Sequence, residues 1–215
     1  MKAKLPKFPK LKDIETIIDK WNMSLDQPVL DPAFQPAFIL ETTLGFYEEG
    51  LSRGAYYHIR DSFVDEQQFA RFLSPHGAAF VARWWNDTPQ YCGLYDNQGR
   101  ARPAYTAFKL LSLIKGERLA VGGATGDVKA LAAKSQGRIN VVVWNFPSKG
   151  TGETRAVTLR LPANKTGRFR VTRLNPANPV NELELERQGN AADLAEAPIR
   201  FSLRPYEIRW LVIGE

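Results

Sequence analysis

The sequence predicts an α/β region followed by an all-β region, and three observations lead there. Two short apolar stretches flank a helical pattern in the first part of the chain, which is the order of a βαβ unit and argues for a parallel sheet. From about residue 117 onward, apolar and polar side chains alternate between turn signals, the pattern of short strands in two packed antiparallel sheets. Between the two textures lies a helix that starts on Pro103 and stops near Gly116, so the expected division is residues 1–116 and 117–215.

Thr16-Ile17-Ile18 reads as a short buried strand that runs into Trp21-Asn22. Pro32 opens a helical stretch with Phe34, Ala37, Phe38, Leu40, Leu44 and Phe46 as its apolar positions, and Gly50 suits its end. Gly54 to Ile59 reads as a second buried strand. Asp61 to Gly99 reads as irregular, broken by Pro75, Gly77, Pro89, Gly93 and Gly99, with a turn at Asp96-Asn97-Gln98-Gly99. After Pro103, Tyr105, Phe108, Leu111 and Ile114 follow at spacings near one helical turn. In the second part, Arg138 to Trp144 carries the run Val141-Val142-Val143 of a central strand. Val157, Leu159 and Leu161 alternate with Thr158 and Arg160. Phe169 and Val171 alternate with Arg168 and Arg170, and Ile199, Phe201 and Leu203 with Arg200, Ser202 and Arg204. Ile208 to Ile213 reads as the last strand after the break at Pro205. Arginine on the polar face of a strand is normally solvated, so these arginines receive no role.

Composition excludes several classes. With 44% hydrophobic residues, 5 Trp, 7 Tyr and 12 Phe in 215 residues, the chain can bury a core and is not of disordered composition. No stretch approaches the roughly 18 apolar residues of a membrane span. Nor does the start carry the apolar segment of a secretory signal, and the compartment stays open. The net charge of +6 is partly concentrated in Lys2, Lys4, Lys7, Lys10 and Lys12. That stretch reads as a solvated terminus, because no stacking platform is interleaved with it as nucleic-acid binding would require. Cys92 is the single cysteine, so an intrachain disulfide and an all-thiolate metal site are both ruled out. His58 and His76, the two histidines, form no recognisable metal-ligand set with the scattered acids, and no cofactor is implied. Asn22-Met23-Ser24, Asn86-Asp87-Thr88 and Asn164-Lys165-Thr166 match the N-glycosylation pattern, which chance accounts for in a chain with no export signal.

Certain segments carry a family likeness. Ile17-Ile18-Asp19-Lys20-Trp21-Asn22-Met23-Ser24 and Tyr56-Tyr57-His58-Ile59-Arg60-Asp61-Ser62-Phe63 are followed in order by Pro75-His76-Gly77, Gly93-Leu94-Tyr95-Asp96, Arg102 to Phe108, and Pro205 to Trp210. In order and spacing these resemble the end of the catalytic barrel of family 39 glycoside hydrolases, the β-xylosidases and α-iduronidases, together with the β-sandwich that follows it. The resemblance implies a partial (β/α)8 barrel, its last two strands and helices, followed by an antiparallel β-sandwich. It also implies an oligosaccharide or glycoside as ligand.

The chemistry of that family makes one position decisive. Retaining glycoside hydrolysis needs two carboxyl groups about 5 Å apart, one to protonate the leaving oxygen and one to attack the anomeric carbon. Both stand at the carboxyl ends of barrel strands. The family's nucleophile is the glutamate just before the Trp-Asn pair, and the matching position here is Lys20. An ammonium cannot form the glycosyl ester, and its charge opposes an oxocarbenium-like transition state. Asp19 is the neighbouring carboxylate, but side chains alternate along a strand, so only a local bulge would bring it in. The family's acid/base strand, with its Asn-Glu-Pro, has no equivalent, since the one Asn-Glu dipeptide is Asn181-Glu182 in the sandwich region.

By the resemblance, Trp21, Asn22 and Phe63 help shape a sugar site. Tyr57, His58, Arg60 and Asp61 stand around the same strand ends, and Trp84 with Trp85 offers a stacking platform. Each has a plainer reading: a packed or hydrogen-bonded histidine, Arg60 and Asp61 as an ion pair or a loop cap, Trp84 and Trp85 packed between the barrel and the sandwich, and His76 in a loop. The leading expectation is therefore a glycosidase-like protein, catalytically incomplete as this chain. One alternative is a carbohydrate-binding sandwich presenting Trp144, Tyr206 and Trp210. Another is a glycosidase subunit completed by another chain or by self-association over its exposed strand edges.

Overall fold

The computed structural model describes residues 14–23, 32–88, 90–147, 152–161, 167–177 and 183–214. The lysines from Lys2 to Lys12, Asn164-Lys165-Thr166 and Asn181-Glu182 lie outside these residues. In chain order the elements are β1 (Ile17–Trp21), α1 (Phe34–Glu48), β2 (Arg53–Tyr56), α2 (Pro75–Asp87), α3 (Pro103–Leu113), β3 (Glu117–Leu119), β4 (Val128–Ser135), β5 (Arg138–Asn145), β6 (Arg155–Leu159), β7 (Arg168–Leu174), β8 (Leu183–Asn190), β9 (Ile199–Leu203) and β10 (Ile208–Ile213). They form a parallel β/α segment followed by antiparallel sheets, as in a partial barrel plus β-sandwich. Contacts group the chain into two compact units, residues 1–30 with 48–102, and residues 31–47 with 103–215.

In the first unit β1 and β2 pair in parallel, Ile17 opposite Arg53, Ile18 opposite Gly54 and Trp21 opposite Tyr56. Two residues of β1, Asp19 and Lys20, therefore span the same step as Ala55 alone, which makes a bulge. Both strands were expected to be buried, and neither is. Ile17 is 56% exposed, and Arg53, Gly54 and Ala55 are all exposed. Parallel strands are normally covered on both faces, but among the described residues no further strand joins this pair.

The stretch expected to be irregular contains α2, and His76 stands in its first turn rather than in a loop. Ser74 is the N-cap, its hydroxyl accepting from the Gly77 amide at 3.2 Å, and Pro75 occupies the first turn, where a missing N–H costs nothing. Ser-Pro before two alanines one turn apart is the sequence signature of this helix start. Ala78 and Ala82 form the buried side of α2, while Phe80 and Trp84 are 65% and 50% exposed.

The second unit holds a six-stranded sheet in the order β3-β4-β5-β10-β7-β8 and a two-stranded sheet of β6 and β9. The unbroken run Val141-Val142-Val143-Trp144 in β5 is explained by burial on both faces. Val141 and Val143 pack with Ile199, Leu203 and Leu211 toward the small sheet. Val142 and Trp144 pack with Ala37, Leu40, Leu44 and Leu110 of α1 and α3. In α3 the buried residues are Pro103, Ala104, Thr106, Ala107 and Leu110, so small side chains let the helix approach closely, and Tyr105 is exposed. Three strands escape the sequence pattern. β4 is rich in alanine, β3 is three residues long, and the edge strand β8 carries Glu184, Glu186 and Arg187 with Leu185 exposed. No described helix is long and apolar enough to cross a membrane.

Trp144 is fully buried, and its indole N–H donates to Glu41 Oε2 at 3.0 Å. Trp144→Ala is expected to cost about 3–5 kcal/mol, because the cavity and the lost burial add. Glu41→Gln, which keeps an acceptor, is expected to cost about 1 kcal/mol or less. Urea midpoints at unchanged slope measure both.

Candidate functional site

The carboxyl ends of β1 and β2 bring together most of the residues singled out from the sequence. Lys20 places its ammonium 4.0 Å from the centroid of the Tyr57 ring, a cation–π contact. The His58 ring lies 4.5 Å from that of Tyr57, and Trp21 meets Tyr56 edge to face at 5.1 Å. The bulge removes strict alternation across Asp19 and Lys20, so the two need not face opposite ways. Asp19 and Lys20 are both exposed, and the Lys20 amine stands against Tyr57.

Asn22 is a structural clamp. Its amide donates to the carbonyls of Tyr57 and of Cys92, the latter at 2.9 Å, and its oxygen accepts from the Met23 amide at 2.7 Å. The Tyr56 hydroxyl donates to the same Cys92 carbonyl at 2.8 Å. Both strand ends are thereby tied to the segment 91–94. Burial raises the pKa of the Cys92 thiol, which makes it a poor nucleophile.

The centre of this unit is Asp61, only 2% exposed. Its Oδ1 accepts from the Gly93 amide at 2.7 Å and faces His58 Nε2 at 2.9 Å, and its Oδ2 pairs with the guanidinium of Arg102. Arg102 also donates to the Gln90 carbonyl at 3.0 Å and lies over the Tyr91 ring at 4.1 Å. An ionised carboxylate only accepts, so His58 carries its proton on Nε2 in this contact. Gly93 is required because a Cβ there would collide with the Tyr95 carbonyl and with Asp61. The expected Arg60–Asp61 pair does not form. Neighbours in extended chain point opposite ways, so Arg60 turns out to donate to the Asn97 carbonyl at 2.7 Å, and Asp61 finds a partner far along the chain.

Side chains at the end of α2 hold the next segment. Gln90 both accepts from the Ser62 amide at 3.2 Å and donates to its carbonyl at 3.1 Å, and Trp85 Nε1 donates to that carbonyl at 2.8 Å. Asn86 does the same for Val64, at 2.9 Å each way. With its amide engaged in this way, Asn86 is a poor glycan acceptor. Phe63, between the two pinned residues, stays 65% exposed. Trp84 and Trp85 are 6.4 Å apart and inclined at 65°, an edge contact rather than a flat platform.

The second buried carboxylate of the unit, Asp96, accepts from the amides of Gln98 and Arg100 and builds the turn expected at 96–99. Both buried acids thus have their oxygens engaged within the unit, Asp61 by Gly93, His58 and Arg102, and Asp96 by its own turn and the Arg100 guanidinium. Among the described residues no cluster of three or more His, Cys, Asp or Glu side chains is placed to hold a metal ion.

Burial alone would raise the pKa of Asp61, but the His58 hydrogen bond, the Arg102 charge and the Gly93 amide outweigh it and hold the carboxyl below the ordinary 3.8. The folded carboxyl therefore holds a proton less tightly than the unfolded one. Its stabilisation is complete above the unfolded value of about 3.9 and is lost as pH falls below that toward the folded value. Asp61→Asn should flatten this acid limb in denaturation series and cost about 3 kcal/mol at neutral pH, because it strands the Arg102 charge.

No family model matches the sequence, and no curated protein matches it. Solved structures do. A monomeric β-xylosidase from Caulobacter crescentus CB15 superposes with a TM-score of 0.64 at 18% identity, over 94% of this chain and 46% of that one. A GH39 enzyme from Xanthomonas axonopodis pv. citri gives 0.63 at 14% identity, over 99% and 47%. An α-L-arabinofuranosidase from Thermotoga maritima gives 0.57 at 13% identity, over 99% and 46%. The chain spans a little under half the length of each of these three structures. At these identities the likeness is one of fold alone, and the fold is glycoside-hydrolase-like, shared with part of several such enzymes.

Proposed function

We propose that this chain is a glycosidase-like protein of the family 39 type, with residues 1–116 as the barrel-like region and 117–215 as the sandwich. Its strand ends would meet a glycoside, but its own residues do not complete double displacement. The two superpositions with TM-scores above 0.6 support the family assignment, as does the order of the quoted segments. Fold likeness alone does not carry an activity, so the catalytic reading rests on one position. Lys20 occupies the place of the attacking carboxylate and keeps its ammonium against Tyr57. In this reading Trp21, Tyr57 and His58 shape the sugar side of the site, while Asn22 and Asp61 hold it in place.

The exposure of β1 and β2 supports a second reading, in which another chain covers their edges and supplies the absent acid. The sandwich-module alternative is weaker, because Trp144 is buried and Trp210 donates its indole N–H to Asn140 at 3.1 Å.

Assays of the pure chain on aryl β-xylosides are expected to show no steady turnover. Lys20→Glu should remain without it, since the second acid is still missing. Turnover by the unmodified chain that disappears in Asp19→Asn would overturn this reading.

A further inference from the structure

A cleft of about 640 Å³ opens within the second unit, lined by β3, β4 and β5 of the six-stranded sheet on one side and by the β6 segment of the small sheet on the other. We propose that it binds one single-chain amphipathic carboxylate, with the alkyl tail between the sheets and the head group at Lys134 and Arg160. The site is independent of the strand-end reading above.

The first argument is how the space arises. Among the described residues two strands, β6 and β9, face a sheet of six. On the inner face of the larger sheet the cross-strand rows run Leu119–Ala132–Val141 and Glu117–Lys134–Ile139. Ala132 gives this floor a small side chain, and Leu159 and Leu161 line the cleft from the β6 segment. The walls are therefore aliphatic, and the volume lies in the range of pockets that take small molecules. A sugar ring would leave its hydroxyls unmatched on such walls, whereas an alkyl chain gains by leaving water. The second argument is charge. The charged residues of the lining are Lys134, Arg160 and Glu117, all at exposed positions. Among the described residues no ion pair joins Lys134 or Arg160 to a carboxylate, although Glu117 stands opposite Lys134 in register. Two cations against one acid favour an anionic head group at the mouth. Val121, 40% exposed, borders the same cleft with Gly122 and Gly123, so the loop after β3 puts no bulky polar side chain there.

Sodium decanoate is the probe, with octanoate, decanol and decyltrimethylammonium for comparison, each titrated into the full chain below its micelle concentration and followed by calorimetry and NMR. One-to-one binding of decanoate is expected, about tenfold tighter than octanoate because two more methylenes leave water. Lys134→Gln combined with Arg160→Gln should weaken decanoate about fivefold and leave decanol unchanged. Because both residues are exposed, this variant should keep the parent urea midpoint. Ala132→Leu, which fills the floor, should weaken decanoate and decanol alike, by about tenfold. Absence of saturable decanoate binding, equal or tighter binding of the decyl cation, or unchanged decanoate affinity in the double glutamine variant would overturn the site. Unchanged affinity in a folded Ala132→Leu protein would do the same. If Ala132→Leu does not fold, the chain-length series and the double variant decide the matter.

Discussion

The ion pair between Asp61 and Arg102 is the interaction on which the first unit depends. A carboxylate removed from water is stable only if its lone pairs are met, and Asp61 is met by a guanidinium, an imidazole and a backbone amide from three separate stretches of chain. That requirement draws the exit of β2, the 91–94 segment and Arg102 into one place. The Asn22 and Tyr56 contacts to the Cys92 carbonyl then tie both strand ends to the same point.

The two units are held by different physics. The second has two apolar layers on either face of β5 and β10, and its stability follows from burial of Val, Leu, Ile and Trp side chains. The first buries few apolar residues, chiefly Met23, Ala78, Ala82 and Cys92. It relies instead on side-chain hydrogen bonds that pin backbone segments. Such clamps fix geometry well but contribute modest net energy, which is why large rings such as Phe63 and Phe80 can remain exposed beside ordered chain.

At the strand ends, electrostatics decide what the fold can do. Glycoside cleavage by double displacement needs an anion facing the anomeric carbon. In the proposed reading Lys20 takes the attacking position, and the buried carboxylate nearby, Asp61, is already paired with Arg102.

Much of the fold was legible in the chain itself. Period-two alternation marked β6, β7 and β9, continuous apolar runs marked β5 and β10, and the βαβ order predicted the parallel pair, because these patterns are local properties. The quoted segments also placed Lys20, Tyr57 and His58 together at the strand ends. The alanine-rich β4, the charged edge β8 and the Ser-Pro start of α2 were hidden, since their residues suit more than one local structure and neighbours decide between them. Only the tertiary structure could reveal that Asp61 pairs with Arg102 rather than Arg60, that Asn22 and Asn86 are backbone clamps, and that a bulge sits at Asp19 and Lys20. Each of these depends on which distant atoms meet a buried polar group, and sequence spacing carries no record of that meeting.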